Sequence, residues 1–365
     1  METGPVEDLQ VRQRLEALEE NFSPYASRSN RSLGRERPET PSPLRTEFQR
    51  DRDRIIHTNA FRRLKHKTQV FLAPSGDHYV TRLSHTLEVA QIGRTIARAL
   101  NLNEDLVEAM SYGHDLGHTP FGHLGEEILD QVYPLGFTHS AQSLRIVEQL
   151  AKDGAGLNLT WEVRQGILSH SKPRGDFLDA ELDDSLTLEA QILRLADSVA
   201  YLNHDIADAI RAGMLQVDDL PERANRILGK THSQRINSLV SGIVQASWPA
   251  SGLSDVPLEK KPVIGMHPEA REAMVELREF MFQQIYLALG NSRQSEVGRD
   301  VVKLLYFHFV DNAEEIPPPY FGPGTDPERA AVDYVSGMTD RYAIRHAEKL
   351  QPGITKGAFH DGTPE

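Results

Sequence analysis

Thirteen consecutive residues, His114-Asp115-Leu116-Gly117-His118-Thr119-Pro120-Phe121-Gly122-His123-Leu124-Gly125-Glu126, carry three histidines and two carboxylates on a segment broken by glycine and proline. His139 follows, so four of the fifteen histidines of the chain fall between positions 114 and 139. Imidazole and carboxylate are the side chains that hold a divalent ion and move protons near neutral pH. Adjacent residues such as His114 and Asp115 lie about 100° apart on a regular helix and cannot share a face. At a helix terminus the restriction relaxes, and Gly113 and Gly117 give the backbone freedom to turn both side chains toward one ion. The chain has no cysteine, so any metal must rest on nitrogen and oxygen donors.

Further ligands must come from distant helices. His85, in Arg82-Leu83-Ser84-His85, shares a helix with Leu83, Leu87, Ile92 and Ile96, which implies burial. A lone buried histidine is more often a hydrogen-bonded core residue than a ligand. Asp197 lies on a helix expected over 186–213. From Asp197, Tyr201 falls at about 40°, His204 at about −20°, Asp205 at about 80° and Asp208 at about 20°. Leu188, Ile192, Leu195, Val199, Leu202, Ile206 and Ile210 gather on the opposite side, between about 140° and 220°. The ordinary reading is an amphipathic helix with a solvated acidic face. Against it, this face holds an aromatic and a histidine among its carboxylates, as a cavity-lining face would.

The elements that must position these groups are helical. Apolar spacing near 3.6 residues recurs, while period-two alternation of β-branched residues is scarce. The spacing predicts helices near 6–21, 46–65, 81–100, 103–113, 123–131, 139–151, 160–170, 186–213, 221–246, 268–289, 293–312 and 326–349. Asn103 and Thr138 stand at two of the starts as capping residues. Residues 23–45, rich in Ser, Arg and Pro, read as an extended or mobile arm. Residues 248–268 and the run Ile316-Pro317-Pro318-Pro319 are connectors. The expected organisation is all-α: an N-terminal helix and arm over 1–45, a helical core over 46–215, and a C-terminal helical extension over 216–365 packed on that core.

The formal net charge is −13, which argues against a generic nucleic-acid coat. Residues 28–67 depart from it, with ten Arg and two Lys against five acidic residues, an excess of +7 that leaves −20 elsewhere. That segment is either a solvated basic helix and loop or a phosphate-binding surface. No apolar run approaches the length of about eighteen residues of a membrane span, and the N-terminus lacks the basic-then-apolar plan of a signal peptide. A cytoplasmic location is expected.

The order His85, His114-Asp115, Asp197 resembles the H…HD…D pattern of the HD metal-dependent phosphohydrolases. An isolated HD dipeptide means little, but longer stretches are specific: Arg62 to Phe71 (RRLKHKTQVF), Thr81 to Thr86 (TRLSHT), His114 to Glu126, and Gly337 to Tyr342 (GMTDRY). Together they resemble the bacterial deoxyguanosine triphosphate triphosphohydrolase family, including its shorter dGTPase-like members, from about residue 28 to 345. A weaker likeness extends to the vertebrate deoxynucleotide triphosphohydrolase. The fold implied is an HD-domain helical core with a C-terminal helical extension.

The resemblance implies hydrolysis of a dNTP at the α-phosphorus to deoxynucleoside and inorganic triphosphate. It assigns a divalent metal to His85, His114, Asp115 and Asp197. Mn or Mg is the family expectation, with Fe, Co, Ni or Zn compatible with the donors. His123 and Glu126 match the catalytic pair, and their i,i+3 spacing lets the carboxylate orient the imidazole. His118 matches a phosphate-contacting position and is a rival for the general acid, so the acid and base roles stay open. His139 and Arg82 match phosphate contacts, Gln69 and Asp205 match residues that address the 3′-hydroxyl, and Tyr201 matches the aromatic that crowds C2′. Asp340 and Tyr342 are expected to line the base or sugar pocket. Ser198 stands where the vertebrate branch has a lysine, so phosphate neutralisation is expected from the arginine-rich arm. The family also implies a homo-oligomer, hexameric or tetrameric, with a nucleotide effector at subunit contacts.

Two other readings compete. One keeps the metal and changes the reaction to a nucleotidase or phosphodiesterase on another nucleotide. The other is an oligomeric nucleotide or single-stranded nucleic-acid binder that uses the arginine-rich arm.

Overall fold

The computed structural model describes residues 9–72, 79–171, 186–255, 260–321 and 324–359. Among these the chain is helical, with no sheet and only two isolated bridges, Arg35 to Thr160 and Thr68 to Thr81. The first half contains α1 (Val11–Glu19), α2 (Glu47–Ile56), α3 (Asn59–Arg63), α4 (Arg82–Ala99), α5 (Glu104–Gly113), α6 (His123–Val132), α7 (His139–Arg145) and α8 (Trp161–Ser169). The long α9 (Leu188–Arg211) is followed by α10 (Glu222–Leu228), α11 (His232–Ala246), α12 (Pro268–Met281) and α13 (Leu287–Gly290). The chain closes with α14 (Arg293–Asp311), α15 (Pro327–Ser336) and α16 (Asp340–Leu350).

Three expected helices are interrupted, each by a residue that caps the next turn. The helix expected over 46–65 stops at Ile56, and the Thr58 side chain accepts from Phe61 N (3.1 Å) to start α3. The one expected over 221–246 breaks at Gly229, with φ 96°, and Thr231 caps α11. The one expected over 326–349 breaks after Ser336, and Thr339 caps α16. Asn103 and Thr138 cap α5 and α7 as expected, accepting from Leu106 N and Ala141 N. Residues 6–8 of the helix expected over 6–21 lie outside the described residues.

Two apolar clusters organise the packing. The first joins α2, α4, α5, α8 and α9 with α10 to α12; Val89, Ile96, Met110, Ile167, Val199, Leu239 and Leu277 are all fully or almost fully buried in it. The second gathers α6 with α14, α15 and α16 around Leu129, Val301, Phe309, Val332 and Ala343. The sequence-based division at residue 215 therefore falls inside the first cluster. No described helix is long and apolar enough to cross a membrane.

The arm of residues 23–45 is fastened rather than free. Buried Glu189 of α9 accepts from Ser27 N and Oγ (both 2.9 Å), and Glu162 of α8 accepts from Leu33 N (2.8 Å). Its arginines, and those of α2, are spent on nearby carboxylates: Arg35 on Glu47 and Asp51, Arg45 on Asp53, Arg50 and Arg54 on Glu39, Arg52 on Glu108. Four of these carboxylates, Glu39, Glu47, Asp51 and Asp53, belong to the segment itself, so its excess of +7 stands while these five arginines are engaged in ion pairs.

Candidate metal centre

Three helices deliver four donors to one point. Thr81 caps α4 and accepts from Ser84 N (3.3 Å), placing Arg82 and His85 in its first turn. α5 runs against α8 so closely that a Cβ on Gly113 would stand 2.4 Å from Ile167 Cδ1, and the chain turns there to present His114 and Asp115. α9 brings Asp197 from the opposite side. His85 Nε2 lies 3.1 Å from Asp197 Oδ1 and 3.8 Å from Asp115 Oδ2. His114 Nε2 lies 3.4 Å from Asp115 Oδ1 and 3.9 Å from Asp197 Oδ1. The donor atoms of His85, His114 and Asp115 all lie within 4.8 Å of one another.

The histidines are oriented from outside. His114 Nδ1 faces the carbonyl of Ser111 at 2.7 Å, an oxygen that only accepts, so Nδ1 carries the hydrogen and the Nε2 lone pair points inward. That Nε2 is buried with no hydrogen-bond partner among the described residues. His85 Nδ1 lies 2.9 Å from His204 Nε2, His204 Nδ1 lies 2.9 Å from Asp205 Oδ1, and Tyr286 donates to Asp205 Oδ2 at 2.6 Å. Such outer partners fix ring orientation and tautomer at metal sites. The face of α9 opposite its apolar stripe is therefore a buried lining, with His204, Asp205 and Asp208 all inaccessible, not a solvated acidic face.

A second group adjoins the first. His118 Nε2 lies 3.3 Å from Asp115 Oδ1, and the His118 ring stacks on His139 at 3.9 Å between centroids. Glu126 bridges two imidazoles: its Oε2 accepts from His123 Nδ1 (2.9 Å) and its Oε1 from His139 Nδ1 (2.8 Å) and His139 N (2.8 Å). The glycines of this loop are fixed by space. A Cβ on Gly117 would meet His139 O at 2.4 Å, and Gly122, at φ 61°, lies where a Cβ would stand 2.9 Å from an Arg82 nitrogen. Arg82 is buried, its Nη1 donates to Asp115 Oδ2 (2.9 Å), and its Nε and Nη2 have no acceptor among the described residues.

Electrostatics set the protonation states. Burial pushes the His85 and His118 imidazoles down, His118 well below its usual value. Asp115 is held well below the carboxylate range because His114, His118 and Arg82 outweigh its burial. Burial raises Asp197, but the hydrogen bond from His85 and the charge of His114 bring it down to about 2. Glu126, also opposed by burial, is pulled far down by His139 and His123. Burial thus holds His85 and His118 toward the neutral form beside ionised Asp115 and Asp197, the states that a divalent cation needs, whereas Glu126 raises His139 against its burial.

Not every expected residue meets the site directly. Gln69 is buried next to Gly122, with Oε1 unpartnered among the described residues. Tyr201 sits at the edge, its ring 5.7 Å from His204 and 6.0 Å from Tyr286. Asp340 accepts from Thr68 N (3.0 Å) and Phe121 N (3.1 Å), tying the Gln69 segment and the loop from His114 to Glu126 to α16. Tyr342 faces a separate cavity of about 780 Å³ with Arg63, Tyr320 and Tyr334. Lys67 is buried and donates to the carbonyls of His118 and Ser336 (2.8 Å for Ser336). The sequence does not single out Lys67, Tyr286 or His170, and it offers His204 only as part of the cavity-lining face of α9. His170 Nε2 lies 3.0 Å from His139 Nε2.

A helical core that assembles H…HD…D in this way defines an HD-domain phosphohydrolase, a metal-dependent class, and the HD domain matches residues 82–211. The phosphohydrolase-associated domain matches residues 264–349. The chain is 49% identical to the deoxyguanosinetriphosphate triphosphohydrolase-like protein of Caldanaerobacter subterraneus subsp. tengcongensis, over 92% of this chain and 94% of the relative. Proteins of the same description from Desulfatibacillum aliphaticivorans (43%, covering 93% and 97%) and Clostridium tetani (40%, covering 93% and 95%) are also similar. The chain belongs to this family of deoxyguanosinetriphosphate triphosphohydrolase-like proteins.

Proposed function

We propose that the protein is a cytoplasmic enzyme that hydrolyses deoxynucleoside triphosphates to the deoxynucleoside and inorganic triphosphate. The observation that carries the reading is the convergence of His85, His114, Asp115 and Asp197 beside the group His118, His123, Glu126 and His139. The first four residues would hold a divalent ion. Two inward Nε2 lone pairs and two ionised carboxylates suit Mn or Mg, and equally Fe, Co, Ni or Zn. When bound, such an ion polarises a phosphate oxygen and lowers the pKa of water.

The remaining residues divide the work. Arg82 has buried N–H groups without acceptors, and a phosphate oxygen would satisfy them; unpaired buried donors are costly. There the guanidinium would stabilise charge that develops on the α-phosphate. His139 and His118 face the same space. Glu126 accepts from His123 Nδ1, leaving His123 Nε2 to exchange a proton. Water oxygen joins the α-phosphorus, the bond to the 5′-oxygen breaks, and that oxygen takes a proton from the His123–Glu126 pair or from His118. Tyr201 would crowd C2′ and disfavour ribose, while Gln69 and Asp205 would address the 3′-hydroxyl. Both Asp205 oxygens already have protein partners, so its sugar contact would be shared with holding His204. A homo-oligomer, tetrameric or hexameric, and a nucleotide effector complete the reading.

Incubation of the purified protein with each dNTP and Mn²⁺ should release inorganic triphosphate and deoxynucleoside. Release of pyrophosphate, or of orthophosphate alone, overturns the proposal in favour of another HD-type reaction.

A further inference from the structure

Lys67 joins the four longer sequence stretches that mark this family. It lies in the first, Arg62 to Phe71, and its carbonyl accepts from Arg82 N in the second (3.2 Å). Its buried Nζ donates to the carbonyl of His118 in the third. The same Nζ donates to Ser336 O (2.8 Å) at the end of α15, directly before the fourth, and Arg63 Nη1 donates to Gly337 O (3.1 Å) beside it. No carboxylate bonds to Lys67 among the described residues, so two main-chain carbonyls are the partners of its Nζ. An ammonium has three N–H groups and an amine two, so either form serves both carbonyls. A methionine would fill much the same space without the cost of burying a polar group; what the lysine adds is the pair of donors.

His118 depends on support of this kind. Its Nδ1 is buried with no hydrogen-bond partner among the described residues, and the polar contact of its Nε2 is Asp115 Oδ1 (3.3 Å). The ring otherwise rests on His139 by stacking. Side-chain bonds therefore fix the imidazole weakly, and its place is set by the main chain that carries it. That main chain lies between α5 and α6, where no helix supplies bonds, and no second donor to the His118 carbonyl is present among the described residues. The firm side of the contact is α15. The Ser336 carbonyl belongs to the last turn of that helix, whose oxygens lack intrahelical partners and favour a cationic donor.

We infer that Lys67 is a positioning residue for His118: it holds the His118 carbonyl against the end of α15 and so sets where the imidazole stands beside Asp115. The inference rests on the reading of His118 as a group that acts on the substrate phosphates. Lys67 reaches the turn through its main chain and hydrogen-bonds to none of the four metal ligands. Its influence falls on kcat, because a displacement of about 1 Å at a reacting group can cost about 100-fold in rate. Arg82, His85 and His114 are oriented by Asp115, His204 and Ser111, contacts that a change of the Lys67 side chain leaves in place.

The chain has no cysteine, so the thiol of Lys67→Cys is unique and can be alkylated in denaturant before refolding. Aminoethylation rebuilds a side chain of the length of lysine with its amine, and propylation gives the same length without it. Lys67→Met and the propylated protein should lose about 10–100-fold in kcat. Their KM and Mn²⁺ requirement should stay within about threefold of wild type, and residues 114–122 should exchange amide hydrogens faster. Aminoethylation should restore both rate and protection. Equal rescue by propylation would reduce Lys67 to packing and overturn the inference, as would a Lys67→Met protein with wild-type kcat and exchange. Lys67→Met needs no refolding, so it decides if the alkylated proteins do not refold; the alkylated pair decides if Lys67→Met does not fold. Should wild type release no triphosphate from any dNTP, the substrate reading falls and the exchange of residues 114–122 decides this inference alone. Triphosphate release that is indifferent to Lys67 has the opposite meaning.

Discussion

His204 Nε2 lies 2.9 Å from His85 Nδ1, and no other polar contact to that nitrogen is present among the described residues. With Asp205 behind it, His204 fixes the tautomer that turns the His85 Nε2 lone pair toward Asp115 and Asp197. Losing such an outer partner typically weakens metal affinity by about 10–100-fold. His204→Ala should therefore raise the Mn²⁺ concentration needed for half-maximal activity by about that factor, with much of the rate restored at saturating Mn²⁺. An unchanged Mn²⁺ requirement would show that packing alone orients His85.

Asp340 offers a test of stability. Its two oxygens satisfy Thr68 N and Phe121 N, and Phe121 is buried. Asp340→Ala would leave both donors unpaired at a cost of about 2–5 kcal/mol. Urea denaturation should read the loss. A change below about 1 kcal/mol would mean that other groups or water take over both contacts.

Lys67 makes stability depend on pH in a distinctive direction. Burial, with Arg63 nearby, lowers its ammonium from the usual 10.5 to about 7. Between those values the unfolded chain binds a proton that the folded chain does not, so the folded state gains as pH rises. Below pH 7 both states are charged and the burial cost is paid in full. The stability difference between wild type and Lys67→Met should shift in favour of wild type from pH 7 to 10, by up to about 1.4 kcal/mol per pH unit. Denaturation midpoints across that range that move in parallel would contradict it.

Tyr201 governs substrate choice if its ring faces C2′. Tyr201→Ala should lower the ratio of kcat/KM for dNTP over rNTP by about tenfold or more, a difference of about 1.4 kcal/mol in transition-state binding. Side-by-side assays with dGTP and GTP measure it. An unaltered ratio would remove the sugar-reading role.

The sequence carries the local parts of this site well and the long-range ones poorly. His114, Asp115, His118 and His123 are legible because they crowd into one loop, and Asp197 because a helical wheel separates its polar and apolar faces. His170 is not legible: its partner His139 lies 31 positions away, and it ends an ordinary helix with no cluster around it. Lys67 falls inside a recognisable motif, yet nothing local distinguishes a buried ammonium from the exposed Lys65 two residues earlier. The arginine-rich arm is ambiguous to a linear count of charge, which gives an excess without showing that Arg35, Arg45, Arg50, Arg52 and Arg54 each pair with a carboxylate in space. Helix breaks at His57, Gly229 and Gly337 were missed because apolar spacing continues across each of them in register.

The bond from Asp340 to Phe121 joins the two matched domains, and those from Lys67 to Ser336 and from Asp340 to Thr68 tie the segment before the HD match to the second domain. A fragment trimmed to residues 46–215 would retain the ligand set named here and lose the struts that hold its loop in shape. What can be exchanged by recombination or engineering is then the whole chain, with the HD segment alone an incomplete machine part.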